Sequence, residues 1–310
     1  MKQSGFSLIE LLAAFTIGLI CMAVLTSAFV NYKQISTLQH ADAEIQENAR
    51  FVAFRLKKAI EIAGFVGCAK LTDTFSIHNY GVSENAELAN ESSLHIYQGE
   101  NGRWLPSIPT YLKITPKKNT DVIVIKNMSP LTNTLLKPIT NDDKIIVSLT
   151  PKFKAKDNLI LADCRHAALL RVHKVSTSKT KKTQTLTTSQ TVKETFNTPA
   201  EISKLVTTVF FIQFSKRKNK KGEKIYSLYG LDSSGRKEEL VPGVTSLKTS
   251  CIELNSEGKT VEKAPKTINL WKNVVAVKIN ITLQSTENVM HKRLSKSVQI
   301  YAVLRERVPL

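Results

Sequence analysis

The chain begins with a short polar segment and continues into a long apolar run. Residues 1–5 carry one charged side chain, Lys2, and residues 11–30 are almost uninterruptedly apolar. About twenty such residues, at a 1.5 Å rise each, span a hydrocarbon core of roughly 30 Å. Between Phe6 and Val30, Glu10 is the one side chain expected to be charged. The pattern predicts a transmembrane helix at residues 6–30 with one carboxylate near its start.

Beyond Val30 the pattern becomes amphipathic. Apolar or small residues recur at spacings of three, four or seven, which is the period of one buried helix face. These positions are Ile35, Leu38, Ile45, Ala49, Val52, Leu56, Ala59 and Ala63. No proline interrupts residues 6–63, and Gly64 and Gly67 are the first stop signals. We therefore predict one helix of nearly sixty residues, about 90 Å long, whose second half, residues 31–66, covers a sheet.

Residues 67–310 alternate strand-like runs with turns. Strands are predicted at 121–126, 144–149, 158–162, 168–173, 205–214, 225–229, 244–254, 275–283 and 297–306. Residues 176–194, rich in Thr, Ser, Lys and Gln, are interpreted as an exposed loop or a long hairpin tip. About nine strands after one helix, without alternating helices, predict an α+β fold with an antiparallel sheet domain.

Charge adds one feature to this picture. A 42% apolar and 23% charged composition is that of a folded protein, but the net charge is +18. Lys2 and Glu10 cancel, so the whole excess lies on residues 31–310. Such a surface attracts nucleic acid, anionic lipid or acidic glycans, and it also serves ordinary solubility.

The residues around the start of the apolar run carry a processing signal. A secretory signal places a small-residue cleavage site after its apolar core, whereas here Gly5 precedes the core. The sequence Gly5-Phe6-Ser7-Leu8-Ile9-Glu10 resembles the class III signal of type IV pilins. The resemblance implies that a prepilin peptidase cuts between Gly5 and Phe6 and that the new Phe6 amine is N-methylated. It also implies a role for Glu10 in assembly. Placing a carboxylate in a membrane helix costs roughly 2.5–3.5 kcal/mol, so Glu10 needs a partner such as the Phe6 amine of a neighbouring subunit.

Four further sequence patterns, taken in their order along the chain, make the resemblance to the pilin family more specific. They are Asn48-Ala-Arg50 with Ala63-Gly-Phe-Val-Gly-Cys68, Asp157-Asn-Leu-Ile-Leu-Ala-Asp-Cys164, Ser227-Leu-Tyr229 with Glu239-Leu-Val-Pro-Gly-Val244, and Trp271-Lys-Asn-Val-Val-Ala-Val-Lys278. Together they are similar to the PilW-type minor pilins of type IV pilus assembly. The resemblance implies a pilin-like fold, with the long helix packed on an antiparallel sheet, and a disulfide between Cys68 and Cys164. Cys251 is the alternative partner of either, and the stretch near residue 180 and the segment leading to Cys251 depart from the family pattern.

No catalytic or cofactor motif is found in the sequence. The six histidines are scattered, and the cluster Cys164-Arg165-His166 with His173 lacks a Cys-x-x-Cys or His-x-x-x-His partner for a metal. A nucleophile elbow, a phosphate-binding glycine loop and a dinucleotide fingerprint are also missing from the sequence. We expect no enzymatic activity, no cofactor and no metal.

The resemblance thus implies a minor pilin that helps to initiate or cap type IV pilus assembly. We expect a leader at residues 1–5, a membrane or filament-core segment at 6–30, an amphipathic helix at 31–66 and a periplasmic or extracellular domain at 67–310. Expected partners are minor and major pilins, the prepilin peptidase and the inner-membrane assembly machinery, with weak binding to nucleic acid or anionic surfaces as a further expectation. The protein would cross the inner membrane once, with Lys2 cytoplasmic, and later lie at or near the pilus tip. The alternatives are a minor pseudopilin of type II secretion and a pilin-stalk receptor for DNA or anionic surfaces.

Overall fold

One long helix precedes a domain made of strands. The computed structural model describes residues 8–68, 75–83, 88–89, 92–255 and 257–307. Helix α1 runs from Leu8 to Glu61, 54 residues in all. Its first half is exposed, and from Ala41 onwards one face is buried. The sequence prediction of one long N-terminal helix is confirmed.

The helix ends at Glu61, slightly before the predicted end at Ala63. The amide of Ala63 donates to the carbonyl of Ile60 at 3.0 Å, a tighter turn than the α-helical one. Gly64 follows with φ 81, and its amide donates to the carbonyl of Lys126 at 2.9 Å. Gly64 therefore acts as the predicted stop, because glycine adopts this left-handed conformation at low cost.

The described part of the chain folds into a 12-stranded and a 4-stranded sheet. The strands are β1 Ser76–Tyr80, β2 Leu94–Glu100, β3 Arg103–Leu105, β4 Val122–Met128, β5 Asn133–Thr134, β6 Asp142–Ser148, β7 Asn158–Ala162, β8 His166–Ser178, β9 Thr183–Val192, β10 Glu201–Lys218, β11 Lys224–Leu231, β12 Lys237–Pro242, β13 Val244–Leu254, β14 Thr260–Lys263, β15 Val274–Gln284 and β16 Ser295–Val303. Short 3-10 helices occupy Thr110–Leu112, Pro265–Thr267, Trp271–Asn273 and Arg305–Arg307.

The sheets are antiparallel with one exception. The main path of the large sheet is β3-β2-β4-β10-β7-β8-β9-β6, and the small sheet has the order β14-β13-β15-β16. Strands β1 and β8 pair in parallel, with Ser76 opposite His166. Since these strands are far apart along the chain, no short hairpin forces them to run in opposite directions. The prediction of antiparallel sheets is confirmed except at this pair.

Strand β9 decides between the two interpretations of residues 176–194: the segment is part of a long hairpin and not an exposed loop. This polar segment forms the second arm of a hairpin with β8, and Gln184 and Leu186 on it are buried. The Gln184 side-chain amide donates to the carbonyls of Leu149 and Pro151 at 2.9 and 3.1 Å, and its oxygen accepts from the amide of Phe153 at 3.0 Å. Hydrogen bonds to backbone groups thus compensate for the burial of the Gln184 side chain. A search for apolar residues in the sequence does not reveal a buried strand position that is polar.

Helix α1 shares one core with both sheets. Its buried residues Ile45, Val52, Leu56 and Ile60 belong to a cluster with side chains from β2, β4, β10, β13, β15 and β16. Complete burial of such side chains contributes about 1.5–3 kcal/mol each. A second core, formed mainly by β6 to β9, contains no residue of α1. The second half of the helix is therefore built into the domain, whereas its first half projects from it.

Candidate functional site

The structure describes one of the three residues that the resemblance assigns to processing and assembly. Gly5 and Phe6 lie outside the described residues. Glu10 lies in the first turn of α1 and is exposed. The positive end of a helix dipole favours an acidic side chain at this position. Glu10 is therefore placed on the helix surface, where a neighbouring chain can reach it.

The first half of α1 has an exposed apolar surface. Leu11, Phe15, Leu19, Leu25 and Phe29 are each 52–67% exposed. An 18-residue window of this helix has a mean hydropathy of 2.5 and none of it is buried, so its length and composition allow it to cross a membrane. A contiguous apolar surface of this kind is unfavourable in water. Lipid, or a bundle of similar helices, has to cover it.

Strand β16 fixes the direction of α1 relative to the domain. Lys296 at the start of the strand forms an ion pair with Asp42, near the point where the helix enters the domain. Just after the strand, Arg305 lies 3.1 Å from Glu61 at the end of the helix. Strand β16 therefore runs beside α1 in the same direction, from the projecting half of the helix towards its C-terminal end.

A disulfide joins the segment after α1 to the large sheet. The structure links Cys68 to Cys164, which are 96 positions apart in sequence and whose Cα atoms lie 5.3 Å from each other. This is the pair that the resemblance implied. Cys164 lies in the turn between β7 and β8, so the bond holds the end of the helical region against these strands. On the chain-entropy model, a disulfide that closes a loop of this length contributes about 4–5 kcal/mol to the free energy of unfolding.

Cys251, the alternative disulfide partner, is a free thiol on β13. It is completely buried. Burial, reinforced by the carboxylates of Asp121 and Glu253, raises the pKa of Cys251 to about 12. The thiol stays protonated at neutral pH and behaves as a small core side chain. Cys21 is also free and lies exposed on the apolar half of α1.

His166, the histidine next to Cys164 in the predicted cluster, contacts other residues of the protein. His166 Nδ1 lies 3.3 Å from the Asp163 carboxylate, and its ring lies 4.5 Å from that of Phe196. Among the residues the structure describes, no group of three potential metal ligands comes together. The arrangement around His166 is that of a carboxylate contact and a ring contact at the edge of a core.

The basic surface includes two hairpin turns. Lys179, Lys181 and Lys182 lie exposed at the β8–β9 turn. The other turn, residues 216–224 between β10 and β11, carries six Lys or Arg residues and one carboxylate. The sequence places this second turn between the predicted strands 205–214 and 225–229 but gives no means of predicting what lies beside it.

Comparison with known proteins gives one informative match. The prokaryotic N-terminal methylation motif matches residues 1–26. None of the curated proteins compared with the chain matches it. Among solved structures, the N-terminal part of the bacterial S-layer protein SbsC is similar over 55% of this chain and 44% of that one, with 13% identity and a TM-score of 0.13. The chain spans less than half of that structure.

The matched motif covers the leader, the predicted cleavage point and most of the apolar half of α1. The helix that follows this signal has the length and apolar surface of a membrane anchor that can also pack in a filament. Motif and helix together indicate a type IV pilin-like or pseudopilin protein that a prepilin peptidase processes.

Proposed function

We propose that this chain is a PilW-type minor pilin that helps to initiate or cap a type IV pilus. The observation that carries the proposal is the coincidence of the methylation motif at residues 1–26 with a helix whose first half is exposed and whose second half is part of the domain core. The downstream patterns that resemble minor pilins, and the disulfide between two of them, support the pilus over the secretion system.

The mechanism follows from what changes during extraction from the membrane. Cleavage after Gly5 frees the Phe6 amine, which is then methylated. Moving the apolar half of α1 from lipid into a bundle of like helices changes its apolar burial little. The new interaction is that of Glu10 with the Phe6 amine of a neighbouring subunit. A head-to-tail contact that repeats without closing on itself generates a helical filament.

The domain assignment belongs to the same proposal. Residues 1–5 are the removed leader, residues 6–30 cross the inner membrane once and later enter the filament, residues 31–66 join this segment to the domain, and residues 67–310 lie on the periplasmic side. Other pilins and the inner-membrane assembly machinery are the partners. The finished subunit lies at or near the pilus tip.

Deletion of the gene and complementation test this assignment. We expect the deletion strain to lose most surface pili while keeping type II secretion, and the intact chain to restore piliation. Pili should be counted by electron microscopy, and secretion measured as the activity of an exported enzyme in the medium. Loss of secretion with normal piliation would identify a pseudopilin instead.

A further inference from the structure

Two loops meet at the end of the domain from which the apolar half of α1 projects. One is residues 216–224, which comprise the end of β10, the connecting turn and the first residue of β11, and the other is residues 285–294, between β15 and β16. Asn219 Nδ2 donates to Asn288 Oδ1 at 2.6 Å, and Arg293 Nη1 donates to the carbonyl of Lys224 at 3.1 Å. The two loops form one surface, which we call the basal patch.

The position of this patch follows from the direction of β16. The ion pair of Lys296 with Asp42 places the start of this strand beside the point where α1 enters the domain. Residues 285–294 immediately precede the strand and therefore lie at the same end. From Val30, the last residue of the apolar run, to Asp42 the helix rises by roughly 18 Å. With the apolar run in a bilayer, the basal patch faces the headgroup layer.

The basal patch and the adjoining start of β16 are strongly basic. Residues 216–224 and 285–296 together contain nine Lys or Arg residues and two carboxylates. Arg293 pairs with Glu223 at 3.1 Å, Arg217 pairs with Glu239, and Lys296 pairs with Asp42. In the part of the chain that the structure describes, no carboxylate forms an ion pair with the exposed side chains of Lys216, Lys218, Lys220, Lys221 and Lys292. Their charge is available to an external anion.

An apolar side chain stands at the tip of this basic surface. Val289 and Lys292 exchange two backbone hydrogen bonds, of 2.7 and 3.1 Å, around a two-residue turn. Both turn residues have left-handed backbone, Met290 with φ 47 and His291 with φ 77, where glycine or asparagine is usual. The turn leaves Met290 58% exposed. An exposed apolar side chain among lysines is the combination with which amphipathic segments bind anionic membrane interfaces.

We propose that the basal patch binds the anionic phospholipid headgroups of the bilayer that holds α1. The inference rests on the proposed membrane anchoring of residues 6–30. The unpaired lysines attract lipid phosphates within about one Debye length, ~8 Å at physiological salt. Met290 reaches the interfacial layer between them. Lipid fits this surface better than nucleic acid does, because the patch faces the membrane from which the helix emerges. Binding holds the domain close to the membrane before assembly.

Labelling of lysines in the full-length chain tests the proposal. The chain is reconstituted into phosphatidylcholine vesicles, with or without roughly one third phosphatidylglycerol, and treated with an amine-reactive reagent. Site-resolved mass spectrometry should show labelling of Lys220, Lys221 and Lys292 falling about threefold with the anionic lipid and recovering near 0.5 M salt. Lys57 and Lys58, exposed on α1 about 40 Å beyond Val30, are the internal control and should change little.

Matched variants give an independent readout. In a variant with Lys220→Gln, Lys221→Gln and Lys292→Gln, labelling of Lys218 and Lys224 should no longer depend on phosphatidylglycerol. The corresponding change of the control residues Lys57 and Lys58 to Gln should leave that dependence intact. Equal labelling of the basal patch in both vesicles would overturn the proposal. So would protection by a DNA oligonucleotide without protection by anionic lipid.

Flotation of the same samples distinguishes failure of the proposed membrane anchoring from failure of lipid binding by the basal patch. A chain that floats with phosphatidylcholine vesicles but shows no lipid-dependent labelling leaves the anchor in place and overturns the basal patch alone. A chain that does not float with either vesicle overturns the proposed anchoring and, with it, the basal patch.

Discussion

At the scale of single residues, Glu10 is central to the proposed assembly mechanism. It lies exposed in the first turn of α1, at the start of an apolar surface that lipid or other helices have to cover. A carboxylate in such surroundings persists where a positive charge compensates it. The proposed partner is the Phe6 amine of the next subunit.

Replacing Glu10 should separate processing from incorporation. We expect the Glu10→Ala variant to be cleaved after Gly5 but to enter pili about tenfold less well or worse. The substitution leaves the Phe6 amine of the neighbouring subunit without its carboxylate partner, and an unpaired charge in an apolar bundle costs roughly 3–5 kcal/mol. The measurement is the ratio of protein in sheared pili to protein in cells, with the size shift reporting cleavage. Glu47→Ala, which removes another exposed carboxylate of α1, is the control. Normal incorporation of Glu10→Ala would contradict the mechanism.

His95 makes a second residue-scale prediction, on pH. Burial and the nearby charge of Lys126 lower the pKa of His95 from 6.5 to about 4. Its ring centroid lies 4.7 Å from that of Tyr97 and 4.6 Å from that of Trp271. Between these two pKa values the unfolded chain binds more protons than the folded one, so stability is fully present above pH 6.5 and is lost as pH falls towards 4.

We therefore expect the free energy of unfolding to fall between pH 7 and pH 4.5 by about 2–3 kcal/mol more in the native chain than in His95→Phe. Phenylalanine keeps an aromatic ring in place but does not titrate. Denaturant unfolding in detergent at the two pH values measures this difference. The same pH dependence in both proteins would show that His95 makes no such contribution.

At the scale of secondary-structure elements, the two faces of α1 have different roles. Leu56 is completely buried in the core shared by the helix and both sheets, whereas Phe54 is 62% exposed. We expect Leu56→Ala to lower the free energy of unfolding by about 2–5 kcal/mol. Phe54→Ala, two positions away, should change it by less than about 1 kcal/mol, since exposed substitutions have small effects. Similar losses in denaturant unfolding would contradict the assigned faces.

The disulfide is the second link between the helical region and the strands. Replacing both Cys68 and Cys164 by serine should cost about 4–5 kcal/mol of folding free energy on the chain-entropy model. Cys21→Ser, a change at an exposed free cysteine, is the matched control and should leave unfolding of the domain unchanged. A peptide map without reduction should contain the linked 68–164 peptide. A map that lacks this peptide would overturn the pairing.

The elements also show what the sequence could predict. The runs at 158–162 and 244–254 have the bounds of β7 and β13, because apolar runs and alternation mark strands with a buried face. Strand β14 was missed because all four of its residues are exposed, so no apolar pattern exists. The sequence leaves β9 open between an exposed loop and a hairpin arm, because buried Gln184 is satisfied by backbone groups that are distant in sequence.

The candidate functional residues also fall into those that the sequence reveals and those that only the fold reveals. A local motif identifies Gly5, Phe6 and Glu10, since all the signal lies within a few consecutive residues. The basal patch depends on a contact between Asn219 and Asn288, which are 69 positions apart. Its composition is visible in the sequence, but its position below the domain follows from the direction of β16 beside α1, which requires the fold.

At the scale of the whole molecule, the chain combines an apolar half-helix with a basic domain. The helix projects its first half and builds its second half into the core of both sheets, so a force on the helix acts directly on the domain. The second core, around β6 to β9, is independent of the helix. This arrangement suits a subunit that is first held in a membrane and then extracted into a filament without unfolding.

The mass of the N-terminal peptide tests the central proposal most directly. The chain is extracted from membranes of strains with and without the prepilin peptidase, digested, and its N-terminal peptide is measured by mass spectrometry. A mature chain that starts at N-methylated Phe6 when the peptidase is present, and at the uncut leader when it is absent, is the expected result. An intact leader in both strains would contradict processing and would reduce the protein to a domain on a membrane tether.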